Sequence, residues 1–150
     1  MRAIMIDPHV QVVHETDIPD GNASTIADAI DCRWVEYVGL GGAVAMWVDE
    51  EGFLGNQEHQ KYFYFNVLTG QFPIAGKALI TGLSPGGNTI AAFDDVQVDY
   101  LREVVTFVNG IEELQALIAE GRVRRPAVTV TTTDGAGAET TTTEWELPAS

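Results

Sequence analysis

The sequence predicts an α+β domain: a mainly antiparallel sheet built from β-hairpins, a short helix packed across it, and further helices near residues 97–120. Three observations carry that expectation. Runs rich in β-branched residues come in pairs separated by Asp-Pro or glycine-rich segments, the pattern of hairpins. Apolar residues at helical spacing are confined to short stretches. A chain of 150 residues, 45% of them apolar, should bury roughly 70% of its unfolded surface, enough for one core and not two. The expected organisation is one α+β domain over 1–121 and a Thr-rich C-terminal extension over 122–150.

In chain order, Arg2 to Ile6 alternates weakly and stops at Asp7-Pro8, and His9 to Glu15, carrying Val10, Val12 and Val13, reads as the returning strand. Asn22 is a good N-cap, and Ile26, Ala27, Ala29 and Ile30 follow at helical spacing, so a helix is expected over Ala23 to Asp31. Arg33 to Leu40 and Ala43 to Asp49 form a second hairpin around Gly39-Leu40-Gly41-Gly42, and Asp49-Glu50-Glu51-Gly52 ends it in a turn. From Asn56 to Leu68 two signals compete. Tyr62-Phe63-Tyr64-Phe65 suits a strand, whereas Gln57 to Lys61 after Asn56 suits a helix start, and a short helix or irregular segment is expected.

Ile74 to Thr81 and Asn88 to Phe93 are strands joined by Gly82-Leu83-Ser84-Pro85-Gly86-Gly87. Val98, Leu101, Val104, Val105 and Val108 share one helical face, and Ile111, Leu114, Leu117 and Ile118 mark another short helix ended by Gly121. Ala127 to Thr133 and Thr140 to Leu147 flank Asp134-Gly135, and read either as a β-hairpin or as a solvated low-complexity tail.

Twenty-two acids stand against eight Lys and Arg, a net charge of -14, with an isoelectric point near 4.3. That balance argues against DNA and anionic membranes as partners and favours basic proteins or cationic ligands. A lone Cys32 excludes an intramolecular disulfide and a multi-cysteine zinc site. The stretch Val35 to Val48, broken by Glu36 and three glycines, falls short of the roughly 20 apolar residues of a membrane helix. The start meets Asp7-Pro8 after four apolar residues, unlike a signal peptide. A soluble cytoplasmic protein is expected.

Three segments, Ile4-Met5-Ile6-Asp7-Pro8, Trp47-Val48-Asp49-Glu50-Glu51-Gly52 and Ile74-Ala75-Gly76-Lys77-Ala78-Leu79-Ile80-Thr81-Gly82, follow in this order and spacing. Over about residues 1–105 they resemble an uncharacterised family of small proteins from bacteriophages, plasmids and their bacterial hosts, known as a domain of unknown function. In that family the Asp-Glu-Glu-Gly turn is followed by an asparagine opening a short helix; Asn56 is the nearest match, placed early and ahead of an unusually aromatic segment. The resemblance brings no chemistry. It implies an accessory gene of a mobile element, where many small proteins act on host defence or host replication.

The chemical motifs resolve into structure. Gly82-Leu83-Ser84-Pro85-Gly86 matches G-x-S-x-G, but Pro85 has no N–H to serve an oxyanion, and no histidine follows position 59, so a turn is expected. Gly39-Leu40-Gly41-Gly42 precedes Ala43-Val44 and a β-rich run, not a helix, and is read as a hairpin connection rather than a dinucleotide loop. His9, His14 and His59 lack metal-ligand spacing, and Asp94, Asp95 and Asp99 suit a helix start. Cys32 is expected to be a semi-buried thiol.

With no catalytic pair, nucleophile or cofactor loop, a non-enzymatic binding protein is expected, without cofactor or metal. Its surface is assigned to Asp49, Glu50, Glu51, Asn56, Tyr62 and Tyr64, engaging a basic host protein without direct nucleic-acid or membrane contact. Counter-defence or DNA mimicry would suit such a protein. Mimicry needs gathering: about 7,500 Å² of surface gives roughly one acid per 340 Å², against roughly one charge per 110 Å² of duplex. The alternatives are a structural protein, or a small-molecule binder that sequesters a signalling nucleotide, with Arg122, Arg124 and Arg125 meeting phosphate across a homo-oligomer interface.

Overall fold

In the computed structural model, residues 1–66, 72–93, 98–133, 135 and 139–144 are described, with the backbone alone for the strands between 127 and 144. Strand β1 (Arg2–Asp7) turns after Pro8 and returns as β2 (Val12–Asp17), paired antiparallel from Arg2↔Asp17 to Asp7↔Val12. Helix α1 (Ala23–Ala29) ends before the expected Asp31, because Ile30 is its C-cap and Asp31 takes a left-handed φ of 56°. Asn22 holds the N-cap position but makes no side-chain cap bond; its N–H donates to Asp20 Oδ1 at 2.9 Å.

Strands β3 (Val35–Gly41) and β4 (Val44–Asp49) form the second hairpin. Its turn takes positive φ at Gly41, Gly42 and Ala43, and a bulge lies between Gly39 and Gly41. The glycines thus serve a backbone that L side chains adopt at a cost.

Two expectations are corrected in the next part of the chain. Asn56 opens no helix: its Oδ1 accepts from the Glu58 N–H at 2.9 Å in a turn, and Tyr62–Phe65 is strand β5. The single strand expected over Ile74 to Thr81 is two, β6 (Ile74–Ala75) and β7 (Ala78–Leu83), which belong to different sheets. Between them Gly76, at φ 78°, redirects the chain.

Strand β8 (Thr89–Ile90) pairs with the end of β7 through the loop containing Ser84, whose Oγ accepts from the Asn88 N–H at 3.0 Å. The G-x-S-x-G segment is therefore the end of one strand and the turn that leads to the returning strand. Helix α2 (Val98–Val104) stops where β9 (Val105–Val108) begins, so the helix expected through Val108 is half strand. The run Val104-Val105-Thr106-Phe107-Val108 is β-branched or aromatic throughout, and pairing with β5 decides it. Helix α3 (Ile111–Ala119) forms as expected, and β10 (Ala127–Thr133) pairs antiparallel with β11 (Glu139–Glu144), so the Thr-rich segment is a hairpin. The end of the expected second run, residues 145–147, lies outside the described residues.

The main sheet runs β2-β1-β7-β4-β3, with β8 beside the end of β7; a small sheet runs β6-β5-β9. Strand alternation divides the side chains among three cores. Ala3, Met5 and Leu79 pack with Ile26 of α1 and its C-cap Ile30 on one face of the main sheet. Ile4, Ile6, Met46, Val48 and Ile80 on the other face meet Phe63 and Val105 of the small sheet, with Leu101 of α2. Tyr62, Tyr64 and Val108 turn from that layer toward Leu114 of α3. The order of layers is α1, main sheet, small sheet with α2, then α3. Both faces of β5 are covered, which is why Tyr-Phe-Tyr-Phe contains no polar alternation.

Candidate functional site

The candidate site grows from the register of the β3–β4 hairpin. Directly opposed residues of an antiparallel pair share a face, so Glu36↔Val48 and Val38↔Met46 place Glu36 and Val38 on the side that faces the small sheet. Strand β4 then ends in a tight turn: Asp49 Oδ1 accepts from the Glu51 N–H at 2.8 Å, and the Gly52 N–H donates to Asp49 O at 3.1 Å. The turn packs closely on β6. A Cβ at Gly52 would lie 2.9 Å from Ala75 Cβ, so glycine there permits the approach.

Between this hairpin and β6 lies a groove of about 300 Å³. Its floor is apolar, formed by Val38, Val48, Phe53, Ile74 and Ala75, and three carboxylates, Glu36, Asp49 and Glu50, line it. Phe53 is braced by stacking on buried Tyr62, with ring centroids 5.8 Å apart. Burial is the first cause that raises the Glu36 carboxyl above its ordinary value, followed by the charges of Glu50 and Asp49. Asp49 is raised as well, by burial first, against the opposing hydrogen bond from the Glu51 backbone. No cation is among the causes of either shift. Two nearby cations are committed elsewhere: Arg33 binds Glu51 with Nη2 3.0 Å from Oε2, and Lys77 pairs with Asp31 and, at 4.0 Å, with Asp7.

Of the residues singled out from sequence, Asp49 and Glu50 share the groove. Glu51 does not line it and is held by Arg33, and Asn56 is used in its own turn. The two tyrosines are a correction. Tyr62 is 0% exposed and Tyr64 5% exposed, and the Tyr62 hydroxyl donates to Gln57 Oε1 at 2.7 Å, so neither ring is presented to a partner. Burial on both faces of β5 claims them for the core. Among the described residues the exposed aromatics are instead Trp34, Tyr37, Tyr100 and Phe72, of which Trp34 and Tyr37, 57% and 54% exposed, lie at β3. Sequence reasoning also missed Glu36. The signal was available in the hairpin register, which sets Glu36 beside the strand that runs into Asp49 and Glu50.

Arg122 faces Glu120 at 3.8 Å and the Arg124 guanidinium lies over the Phe72 ring, 5.6 Å from its centroid, at the rim of the acidic groove. An anion there would meet the carboxylates of the groove. Arg125 is exposed. His9 and His59 are exposed in turns, and His14 Nδ1 lies 2.9 Å from Glu15 O. Among the described residues no three His, Cys, Asp or Glu side chains converge as metal ligands; Asp94 and Asp95 lie outside them. Burial and then the charges of Asp49, Asp31 and Glu51 push the Cys32 thiol up to about 11, which leaves it unreactive at neutral pH. Among the described residues no helix is long and apolar enough to cross a membrane.

The model of one protein family matches residues 1–118, taking in the rest of β9 and most of α3 beyond the span suggested by the three segments alone. No curated protein and no solved structure matches the chain. The groove-forming hairpin, its turn and β6 all fall inside the matched span, and the chain belongs to the family described as Domain of unknown function (DUF3846).

Proposed function

We propose that this chain is a non-enzymatic binding protein, an accessory protein of a bacteriophage or other mobile element, that engages a basic host protein in the cytoplasm through the groove between β3–β4 and β6. One observation carries this reading: Glu36, Asp49 and Glu50 line an apolar-floored groove in which burial raises the Glu36 and Asp49 carboxyls and the charges of Glu50 and Asp49 raise Glu36 further, no cation being among the causes of either shift. A lysine or arginine side chain matches both halves of that arrangement. Its aliphatic stem covers Val38, Val48 and Phe53 while its charged head meets the carboxylates. The groove's charge disfavours a phosphate ligand, which weighs against nucleotide sequestration. Wholesale DNA mimicry is weakened too, because Glu15 on β2 and Glu36 on β3 stand on opposite edge strands of the main sheet.

The test uses short peptides with a central Lys or Arg between apolar residues, and the same peptides with Glu in that place, titrated against the isotope-labelled protein. The basic peptides are expected to shift the resonances of Glu36, Val38 and Phe53, with affinity that falls as salt rises. Combining Glu36→Gln with Glu50→Gln should weaken them about tenfold or more. Equal binding of the acidic peptides, or shifts confined to other surfaces, would overturn the reading.

A further inference from the structure

We propose that the partner segment binds as an added β-strand along β3, with alternating basic and apolar side chains. This inference rests on the acidic-groove reading and specifies how its partner is held. Strand β3 ends the main sheet, and among the described residues no strand pairs with its outer side. The ladder decides which of its backbone groups are free. The Glu50 N–H donates to Trp34 O at 2.9 Å, and hydrogen-bonded pairs alternate in an antiparallel ladder. In the observed register the bonded pairs are therefore Trp34–Glu50, Glu36–Val48 and Val38–Met46. Val35, Tyr37 and Gly39 turn their N–H and C=O groups outward, a row that an extended segment can complete.

The edge is also unusually open to such pairing. Natural sheets protect edge strands with proline, lysine or a covering element; β3 has the sequence VEYVGLG, with one charge, Glu36, and a bulge only at its far end. Val38 and Tyr37 remain exposed on it.

Side-chain alternation then sets the partner's chemistry. One face of the added strand lies beside Glu36, Val38 and the groove, where a basic residue meets Glu36 and Glu50. The other lies beside Tyr37, whose ring packs on Trp47 with centroids 5.1 Å apart, where an apolar residue fits. Charge complementarity selects this occupant over a second copy of the chain, whose own β3 would bring Glu36 and a net charge of -14 to the same edge.

The experiment uses an alternating Lys-Val decapeptide and two N-methylated derivatives of it, isomers of each other, methylated at every lysine or at every valine. Methylation removes the backbone donors of one side of the strand and keeps the charge. Strand addition predicts that one isomer loses about tenfold or more in affinity while the other binds like the parent, and that parent binding slows amide exchange at Val35, Tyr37 and Gly39. Equal affinities for both isomers, with parent binding still lost in the Glu36→Gln, Glu50→Gln protein, would overturn strand addition and leave the acidic groove standing. A parent peptide that binds without dependence on those carboxylates would remove the groove reading and this inference together. Protection of the same amides without peptide, growing with protein concentration, would assign the edge to a second copy and overturn the proposal.

Discussion

Two aromatic groups, Tyr62-Phe63-Tyr64-Phe65 on β5 and Trp34 with Tyr37 at the start of β3, use similar side chains for opposite ends. On β5 one face meets the main sheet and the other meets α3, so the ring of each residue from Tyr62 to Tyr64 is buried. On β3 the strand ends the sheet, and Tyr37 leans on Trp47 while more than half of it stays exposed. The difference teaches that an aromatic run marks a strand covered on both faces, whereas isolated aromatics beside acids mark a surface that water or a partner can reach. An interaction patch is better sought at the edge of a sheet than at its most hydrophobic segment.

Replacing a fully buried ring breaks that comparison most sharply. Phe63 is fully buried between the sheets, with Phe65 edge-on at 5.9 Å. Phe63→Ala should cost about 3–5 kcal/mol through lost transfer energy and the cavity left behind, while Trp34→Ala should change stability by no more than about 0.5 kcal/mol. Urea unfolding of the two variants measures both. A cost for Trp34→Ala comparable to that for Phe63→Ala would show that the two groups are not opposites.

Hydroxyl deletion gives a smaller contrast within the same pair of regions. The Tyr62 hydroxyl donates to Gln57 Oε1, and the Gln57 amide in turn donates to Leu54 O at 3.1 Å, so the turn before β5 is tied to the core by a buried polar bridge. Tyr62→Phe leaves a buried acceptor without its donor and should cost about 1–3 kcal/mol. Tyr37→Phe, on an exposed ring, should stay within about 0.5 kcal/mol. Equal midpoints for the two variants in chemical unfolding would mean that the bridge contributes nothing.

The hairpins were legible because their signals are local: Asp7-Pro8, Gly39-Leu40-Gly41-Gly42 and Ser84-Pro85-Gly86-Gly87 each force a turn between β-rich runs. What escaped was set by tertiary contacts. Val105 to Val108 fits a helical stripe as well as a strand, and only β5 as a neighbour selects the strand. Ile74 to Thr81 reads as one strand until the two sheets pull it apart at Gly76. At the site, Asp49 and Glu50 were legible as a charged turn, but Glu36 joins them across a hairpin and the tyrosines leave for the core. A linear reading weights neighbours in sequence, and this groove is built from neighbours across strands.

The smallest expected effect concerns the groove's own charge. Glu36 has its carboxyl raised above the ordinary 4.5, by burial first and then by Glu50 and Asp49. A raised folded value means that the folded protein holds the proton more tightly than the unfolded chain does. The stability Glu36 contributes is therefore fully present below about pH 4.5 and is lost as pH rises through the raised value. Glu36→Gln removes the charge and keeps the shape, so it should raise the thermal midpoint at pH 7 and leave it nearly unchanged at pH 4. An advantage of equal size at both pH values would assign the effect to packing. A bound basic peptide supplies the missing cation and reverses the sign, pulling the carboxyl back down. With saturating Lys-Val peptide, Glu36→Gln should lower the midpoint at pH 7 relative to the unmodified protein, and the peptide's affinity should fall as pH drops through the Glu36 titration. Trp34, just before the same strand, has no ionisable group, so the pH dependence separates the acidic half of the edge from its indole.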